Sequence, residues 1–529
     1  MRPLGDDVKP PLRPRLGPFP PVPAGTGSPQ GAMANPHGVA PPGPQAAAPP
    51  AGPPRLGRRS ALRTTALAAG AAAGAGGWLL AACGPAKAPP VAAAPAVTAG
   101  GIEVTFAPNW QAPWNKTSQS LCQQFIDSQF APRHKGIQVR VQPSVQGQST
   151  GQIAATIAGS GFVDVFSDCC VDLPNWAASG LLLPLDGRLR QDNVNPSQWS
   201  PLRIQALTFF GHLLALPAYD GPEVMLYRQD MLDAFGLTYP DPAWDYTAAE
   251  KLWRACARTV KGQPVYGVSL DTFWVNSPYL FYGWGGSLFD PGRTRCLLDS
   301  SPSVAAAEWF FGLIRDKIAS PTRDQVGGLT SGKDVFSVTG GWSIFAEATQ
   351  LGSHYKWNIV PQPRWALRSS TMVNSDFYAI NARTQNPDAA WTFFHWAFTE
   401  PAWTRFMMRT TLIEPALVSL WHEWESVVKA AAPPLAHIHL GYYRDAATSG
   451  AEVPQSFFLY NGAKAAAIMQ TYWTQIIAGQ ISVKLAFQEV TKQINALEQA
   501  AASQTAGGAK AAKAFPSQGP AIASVQPGL

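Results

Sequence analysis

Beyond residue 100 the chain alternates between strand-like and helix-like patterns of apolar and polar positions. The alternation at 102–106 predicts a strand, and the β-branched run at 137–141 predicts a second strand. Helical spacing of apolar residues over 118–130 and around 153–158 predicts two helices, and a short apolar run at 163–166 predicts a third strand. This order and spacing predict an α/β fold with a parallel sheet covered by helices.

Helix start signals recur further along the chain. Thr247 to Glu250 forms a capping-box sequence ahead of an apolar helical face. Ser301-Pro302 and Asn386-Pro387 each place a capping side chain before a proline, which the first helical position tolerates because its N–H would have no intrahelical partner. Two more strands are expected at 265–270 and 378–381.

Three segments have the composition of chain without a packed core. Residues 1–54 hold 17 prolines and few large apolar side chains, so they cannot bury enough surface to offset the entropy lost on ordering. Residues 84–100 consist almost entirely of Ala, Pro and Val and are interpreted as a flexible stalk. Residues 503–529 are rich in Ala, Gly, Gln and Ser and are expected to form a disordered tail.

Residues 55–83 resemble an export signal. Arg58 and Arg59 belong to a basic front, and an uncharged run of 19 small or apolar residues follows from Thr64 to Ala82. The run ends in Leu-Ala-Ala-Cys83, which resembles the lipobox of bacterial lipoproteins, in which the cysteine thiol is lipidated. Export through the twin-arginine or the general secretory route is left open. The alternative is one transmembrane helix, since 19 residues just suffice to cross a bilayer.

Either interpretation places the remaining chain outside the cytoplasmic membrane, and the lipobox predicts a lipid anchor on the outer face of that membrane. The formal charge of the whole chain is +6, but residues 1–83 contain 8 basic and 2 acidic residues. The exported part therefore carries 32 basic and 32 acidic residues. Without a basic surface, nucleic acid is not an expected partner.

The cysteines give no metal-binding pattern, because no CxxC spacing occurs. Once Cys83 is assigned to the lipid, an odd number of cysteines remains, so at most one or two disulfides can form. The remaining cysteines are Cys122, Cys169, Cys170, Cys256 and Cys296.

The order of several short motifs resembles a known family, the extracellular solute-binding proteins of ABC importers, in the sugar-binding group that includes maltose-binding protein. The resemblance covers roughly Ile102 to Leu497, with departures at Asn374–Phe377 and at the adjacent cysteines after Asp168. The segments that carry it are IAATIAGSGFVDVFSDCCVDLPNWAASGLLLPLD (153–186), LLALPAYDGPEVMLYRQDMLDAFGL (213–237), YGWGGSLFD (282–290), VTGGWSIF (338–345), IVPQPR (359–364) and NPDAAWTFFHWAFTEPAW (386–403).

The resemblance implies a periplasmic-binding-protein-like fold, with two α/β lobes joined by crossing hinge segments and a ligand cleft between them. Lobe 1 would comprise 101–217 plus 377–411, and lobe 2 would comprise 222–371 plus 415–500. Closure would be a hinge motion that a ligand drives by contacting both lobes. The expected partners are a small-molecule ligand and the ABC permease subunits in the membrane, with the protein itself a monomer.

Nineteen tryptophans favour a sugar as the ligand, because the C–H face of a pyranose stacks on an indole ring. Trp110 and Trp114 follow the first strand and Asp168 follows the third, at the carboxyl ends where open α/β sheets bind ligands. Asp168 could instead cap the next helix.

The resemblance adds further candidates near the hinge and on the cleft wall of lobe 2. It places Tyr219 and Asp220 at the first crossing and Asp376 at the second. On the wall of lobe 2 it places Trp274, Trp284 and Trp342. Tryptophans more often belong to a core, and any of them could instead form a surface for the permease. Helical spacing predicts core positions for Trp391, Trp396 and Trp403.

The metalloprotease motif HExxH and the P-loop motif do not occur in the sequence. His437 and His439 are too few for a metal site. The chain is therefore expected to bind its ligand without a cofactor, a metal or catalytic residues. Two alternatives remain open: an extracellular carbohydrate-processing enzyme that uses a carboxylate pair from Asp164, Asp168 and Asp172, or a binding protein for a polyamine or a glycerophosphodiester.

Overall fold

The computed structural model describes residues 101–108, 116–142, 163–169, 173–270, 278–290, 295–321, 326–448, 451–452, 459 and 462–512. The strands are β1 Ile102–Ala107, β2 Ile137–Val141, β3 Val165–Cys169, β4 Thr208–Phe209, β5 His212–Leu213, β6 Leu216–Pro217, β7 Gly221–Arg228, β8 Arg258–Val260, β9 Gln263–Ser269, β10 Asp334–Gly340, β11 Trp357–Val360, β12 Thr371–Asn374, β13 Asp376–Ile380 and β14 Ala451–Glu452.

The α-helices cover these sheets. They are α1 Lys116–Gln129, α2 Leu173–Ala178, α3 Asp186–Gln191, α4 Pro201–Ala206, α5 Gln229–Phe235, α6 Tyr246–Cys256, α7 Pro278–Gly283, α8 Ser301–Arg315, α9 Gly327–Thr330, α10 Ile344–Gln350, α11 Pro387–Thr399, α12 Pro401–Thr410, α13 Trp421–Ala431, α14 Gly441–Thr448, α15 Gly462–Ile477 and α16 Val483–Ala512. Among the residues in the ranges above, no helix is long and apolar enough to cross a membrane.

The first sheet has the strand order β2-β1-β3-β13-β6. β1 pairs in parallel with β2 and β3, which confirms the parallel sheet predicted from the strand and helix spacing. The third strand begins at Val165, two residues after the predicted start. The cause is Asp164, whose carboxylate accepts hydrogen bonds from the Thr105 N–H and hydroxyl at 2.8 and 2.9 Å before the ladder begins. The helix predicted around 153–158 lies outside the described residues.

The second sheet has the order β14-β12-β7-β10-β9-β8, with β11 also paired to β7. β7 and β10 are buried along their whole length, as strands covered on both faces must be. β10 runs parallel to β9 and antiparallel to β7. The strand predicted at 265–270 is confirmed as β9, which begins two residues earlier.

Two crossing strands connect the sheets directly. One path runs from β6 into β7 and the other from β12 into β13, and the two paths lie antiparallel, with Phe377 opposite Pro217 and Asn374 opposite Gly221. Gly221 is required by close approach, because a Cβ there would lie 2.7 Å from the Tyr219 ring. The predicted strand at 378–381 is confirmed as β13, displaced by two residues at its start.

A third connection leaves α12 and reaches α13. At its start Leu412 adopts a left-handed backbone with φ of 63°. The Trp424 Nε1–H donates to the carbonyl oxygens of Leu412 and Ile413 at 3.2 and 3.0 Å. These bonds fix a conformation that is costly for a residue with a Cβ.

The predicted helix starts are correct to within one or two residues. Asp245, rather than Thr247, caps α6, because its carboxylate accepts from the N–H groups of Thr247 and Ala248 at 3.1 and 3.0 Å. The cap position of α8 is Ser300 instead of Ser301. α11 begins at Pro387, as predicted, although the Asn386 side chain makes no capping hydrogen bond.

Helix α16 continues to Ala512, past Ser503 where the tail was expected to begin. Alanine and glutamine are good helix formers, so this low-complexity composition can extend a helix that packed residues have already nucleated. Residues 513–529 lie outside the described range.

The three tryptophans predicted to be core are buried, which confirms that prediction. Trp403 packs edge-on against Phe106 of β1, with ring centroids 5.5 Å apart. Among the described cysteines, Cys122, Cys256 and Cys296 are buried free thiols, so none of the three forms a disulfide. Burial raises the pKa of each thiol, to about 12 for Cys256 and about 11 for Cys296, which keeps them protonated and unreactive.

Candidate functional site

Strand register brings the carboxyl ends of strands from both sheets to the crossing strands. β3 ends at Cys169, which lies opposite Asp376 at the start of β13. β10 ends at Gly340, which lies opposite Glu223 near the start of β7. We call this region the hinge edge, defined by the ends of β3 and β10 and by crossing residues 218–223 and 374–376. It is the position at which open α/β sheets bind ligands.

The structure brings five of the predicted binding residues to the hinge edge. Tyr219, Asp220 and Asp376 are buried in the crossing strands, while Asp168 and Trp342 are partly exposed at the ends of β3 and β10. The placement agrees with the prediction, but contact with a ligand remains a prediction for each of them.

Four predicted binding residues remain, and the structure describes one of them, Trp284. Trp110, Trp114 and Trp274 lie outside the described residues. Trp284 is partly buried in an aromatic cluster with residues of α6 and α8, with its ring centroid 5.0 Å from that of Trp309 and 5.1 Å from that of Tyr246. Its described contacts are those of a packing residue, and its binding role stays a prediction.

Asp220 forms a buried ion pair with Arg203 of α4. The Arg203 Nε–H donates to Asp220 Oδ1 at 2.8 Å, and only 2% of the Arg203 side chain and 5% of the Asp220 side chain are exposed. The two Nη atoms of Arg203 form no hydrogen bond within the described structure. Burial raises the pKa of Asp220, and the Arg203 guanidinium opposes that rise. Asp220 therefore neutralises a buried cation beside the first crossing strand.

The turn after β10 presents Trp342. The indole ring folds back over Gly340, where a Cβ would lie 2.1 Å from a ring atom. Behind the turn, the Thr339 hydroxyl lies 2.7 Å from Glu347 Oε1, and the Ser343 hydroxyl lies 2.8 Å from the same oxygen. Burial raises the pKa of Glu347 to about 7.

Glu414, in the third connection, closes the turn from the other side. Its carboxyl group is fully buried against Gly341, and neither oxygen has a hydrogen-bond partner in the described part of the chain. Burial raises the pKa of Glu414 well above its usual range, and nearby Glu347 and Asp220 raise it further. A buried carboxylate without a partner is very costly, so burial favours the neutral form of Glu414.

Gly341→Ala is expected to lower the free energy of unfolding by about 1–3 kcal/mol, because overpacking a buried site forces its neighbours to move. The added Cβ would lie 1.8 Å from Glu414 Oε2. Urea unfolding monitored by circular dichroism measures the change.

Gly312→Ala in α8 is the matched control, since its Cβ would meet nothing closer than 3.8 Å. That variant should be neutral or more stable by about 0.5–1 kcal/mol. Equal stability of the two variants would contradict the packing of Glu414 against Gly341.

Sequence reasoning missed Arg203, Glu223, Glu347 and Glu414, which are all buried. Glu223 Oε1 accepts from Asn374 Nδ2 at 3.3 Å, so the unusual Asn374 bonds one crossing strand to the other. The sequence did contain a signal that could have identified three of these residues. Arg203, Glu223 and Glu414 are lone charged residues in short, mostly apolar runs, and such residues are rarely buried without a specific role.

Asp164, one of the three carboxylates considered for an enzyme, is engaged in structural hydrogen bonds. Asp164 Oδ2 accepts from Thr105, and its other oxygen accepts from the Thr384 hydroxyl. It therefore joins β1 to the segment after β13, away from solvent. Asp172 lies outside the described residues.

Comparisons with known proteins agree with this architecture. The family model described as bacterial extracellular solute-binding protein matches residues 126–424. A maltotriose-binding protein of Pyrococcus abyssi is 24% identical over 238 residues, which are 43% of this chain and 48% of that protein. The chain thus spans about half the length of this curated relative.

Solved structures match over more of the chain. An ABC substrate-binding protein of Listeria monocytogenes in complex with cycloalternan has a TM-score of 0.64 and 18% identity, covering 75% of this chain and 98% of that chain. The GacH receptor of Streptomyces glaucescens, solved unliganded and with acarbose, has a TM-score of 0.61 and 19% identity over 75% of this chain and 99% of that one. These likenesses confirm the predicted fold class of two α/β lobes.

Proposed function

This chain belongs to the bacterial extracellular solute-binding protein family, and from that premise we propose that it captures a sugar or oligosaccharide by hinge closure and delivers it to an ABC importer. The ligand is bound and released without chemical change. The two lobes predicted from the sequence close on the crossing strands at 216–222 and 373–377.

The observation that carries this proposal is the position of Trp342. A partly exposed indole stands in the turn after β10, the strand that pairs with β7 of the first crossing path. An aromatic face at a strand terminus offers a stacking platform for a pyranose ring. The sugars named for the relatives, maltotriose, cycloalternan and acarbose, support the same ligand class.

The proposal includes the anchor and the partner predicted from the sequence. Cys83 carries the lipid after export, the stalk at 84–100 separates the folded part from the membrane surface, and ABC permease subunits receive the ligand from a monomeric protein. Residues 1–100 lie outside the described structure, so these steps rest on the sequence pattern.

Maltotriose is expected to raise the melting temperature of the full-length chain in a concentration-dependent way, because a ligand that binds only the folded state stabilises it. At a ligand concentration of 100 times Kd the gain is about 2.7 kcal/mol. Differential scanning calorimetry measures the shift, and chromatography of the released ligand should recover intact maltotriose.

The control ligands are other α-glucans, sucrose, spermidine and glycerophosphocholine at equal concentration. If only spermidine or glycerophosphocholine raises the melting temperature, the natural ligand is another polar solute and not a sugar. If shortened glucans are released, the protein is a carbohydrate-processing enzyme and not a binding protein.

A further inference from the structure

Four oxygen contacts lie directly behind the Trp342 turn. The hydroxyls of Thr339 and Ser343 contact each other, and each contacts Glu347 Oε1, at 2.7 and 2.8 Å. The Ser343 hydroxyl also donates to the Gly340 carbonyl oxygen at 2.9 Å. Glu347 is 1% exposed, so bulk solvent does not reach this set.

Counting protons shows which state of Glu347 fits these contacts. With an ionised carboxylate, only the two hydroxyl protons serve four close oxygen contacts, so two pairs of oxygens must face each other without a proton of their own. With a protonated carboxyl, Glu347 donates to Thr339, Thr339 donates to Ser343, and Ser343 donates to the Gly340 carbonyl, so three protons serve the set and only the Ser343–Glu347 contact is left without one. The second carboxyl oxygen then accepts from the Tyr443 hydroxyl at 3.5 Å.

We propose that Glu347 is a positioning residue whose carboxyl proton starts a hydrogen-bond chain that fixes the turn carrying Trp342, so that sugar binding weakens when this proton is lost. The inference rests on the proposed function and names a residue that controls the same site. The chain ends on the Gly340 carbonyl, and Gly340 is the residue over which the indole ring folds.

The charged and titratable groups around Glu347 support the protonated state. Tyr443 of α14 faces one oxygen, and Glu414 approaches from the third connection on the other side of the turn. Asp220 lies within electrostatic reach of Glu414 and is neutralised by Arg203. Among the described partners of Glu347 there is no cation. Desolvation therefore dominates and raises the pKa of Glu347 to about 7.

The direction of the pH effect follows from that rise. The pKa of Glu347 in the folded protein lies above its usual value of 4.5, so the folded state holds the proton more tightly than the unfolded state. The resulting stability is fully present below about pH 4.5 and is lost as the pH rises through about 7. Sugar affinity should follow the proton in the same direction.

The test measures the Kd of maltotriose by calorimetry between pH 5.5 and 8.5 for the full-length chain, Glu347→Gln and Glu347→Ala. For the unmodified chain we expect binding to be about tenfold weaker at pH 8 than at pH 6, since a group with a pKa near 7 is about 90% ionised one unit above it. Glu347→Gln should keep the affinity at all pH values, because its amide donates like the carboxyl O–H. Glu347→Ala should bind weakly throughout.

Glu308→Gln is the matched control, because Glu308 is exposed on α8 and lies far from the turn in sequence. It should reproduce the pH profile of the unmodified chain. A flat profile for the unmodified chain, or a Gln variant as weak as the Ala variant, would overturn the inference.

A measurement without ligand separates this inference from the proposed function. The fluorescence difference between the unmodified chain and Trp342→Phe isolates the emission of Trp342. This difference should change near pH 7 and become constant in the Glu347→Gln background. If no sugar binds at pH 6, the proposed function fails, while a pH-independent difference spectrum would refute the positioning role of Glu347.

Discussion

Asp220→Ala is expected to lower the free energy of unfolding by about 3–5 kcal/mol, because removing one partner of a buried ion pair leaves the other charge uncompensated. Arg203 would keep its guanidinium in a site where Asp220 is its sole described hydrogen-bond partner. Urea unfolding followed by circular dichroism measures the loss.

Asp388→Ala provides the matched control. Asp388 pairs with Arg188 at the same 2.8 Å distance, but its side chain is 93% exposed, so its loss should change stability by less than about 0.5 kcal/mol. The double variant Arg203→Met/Asp220→Leu should recover most of the stability, because an apolar pair of similar volume can replace a buried ion pair. Similar losses of stability for Asp220→Ala and Asp388→Ala would show that the Arg203–Asp220 ion pair is not desolvated.

Trp342→Ala is expected to weaken sugar binding about 30-fold or more, since a buried aromatic contact at the centre of a binding site contributes about 2 kcal/mol or more. The indole at the end of β10 is held by the Gly340 turn and is only partly covered by the protein. Calorimetric titration with maltotriose measures the Kd. Trp342→Phe should retain most of the affinity because the aromatic face remains.

Trp309→Ala separates binding from folding. Trp309 is also partly exposed, but it packs against Trp284 and donates its Nε1–H to Glu250 at 2.7 Å. Its removal should lower the melting temperature and leave the Kd unchanged. If the Trp342→Ala variant binds maltotriose as tightly as the unmodified chain, the sugar stacks on a different aromatic residue.

Prediction from sequence was most accurate for strands and helices whose formation depends on residues close together in the chain. The strands β1 and β2 and the helix α1 follow the predicted bounds closely, because side-chain periodicity alone determines which face is buried. Helix starts were displaced where a competing cap was nearby, as when Asp245 took the position expected for Thr247. An ionised carboxylate accepts backbone N–H bonds more strongly than a hydroxyl does.

The candidate site was predictable only in part. Tyr219, Trp342 and Asp376 were predicted because the order of motifs resembles a family, and the structure places them at the hinge edge, while their contact with a ligand stays a prediction. Arg203 and Glu414 were missed because each is a lone charge in its segment, and Glu347 was missed although its partners Ser343 and Thr339 are only four and eight residues away. Whether a lone charge is solvated, paired or protonated depends on burial, which local sequence does not specify.

The sequence by itself determined the predicted strands and helices, the α/β class and the core positions of Trp391, Trp396 and Trp403, whereas the turn that presents Trp342 was identified through the resemblance to a family. These features arise from periodicity, turn chemistry and composition, which act over a few residues at a time. The tertiary structure alone decided that Asp220 neutralises Arg203, that Glu414 fills the space beside Gly341, and that Glu347 has three described hydrogen-bond partners and no described cation beside it. Burial brings together charges that lie many residues apart, and desolvation then sets their ionisation.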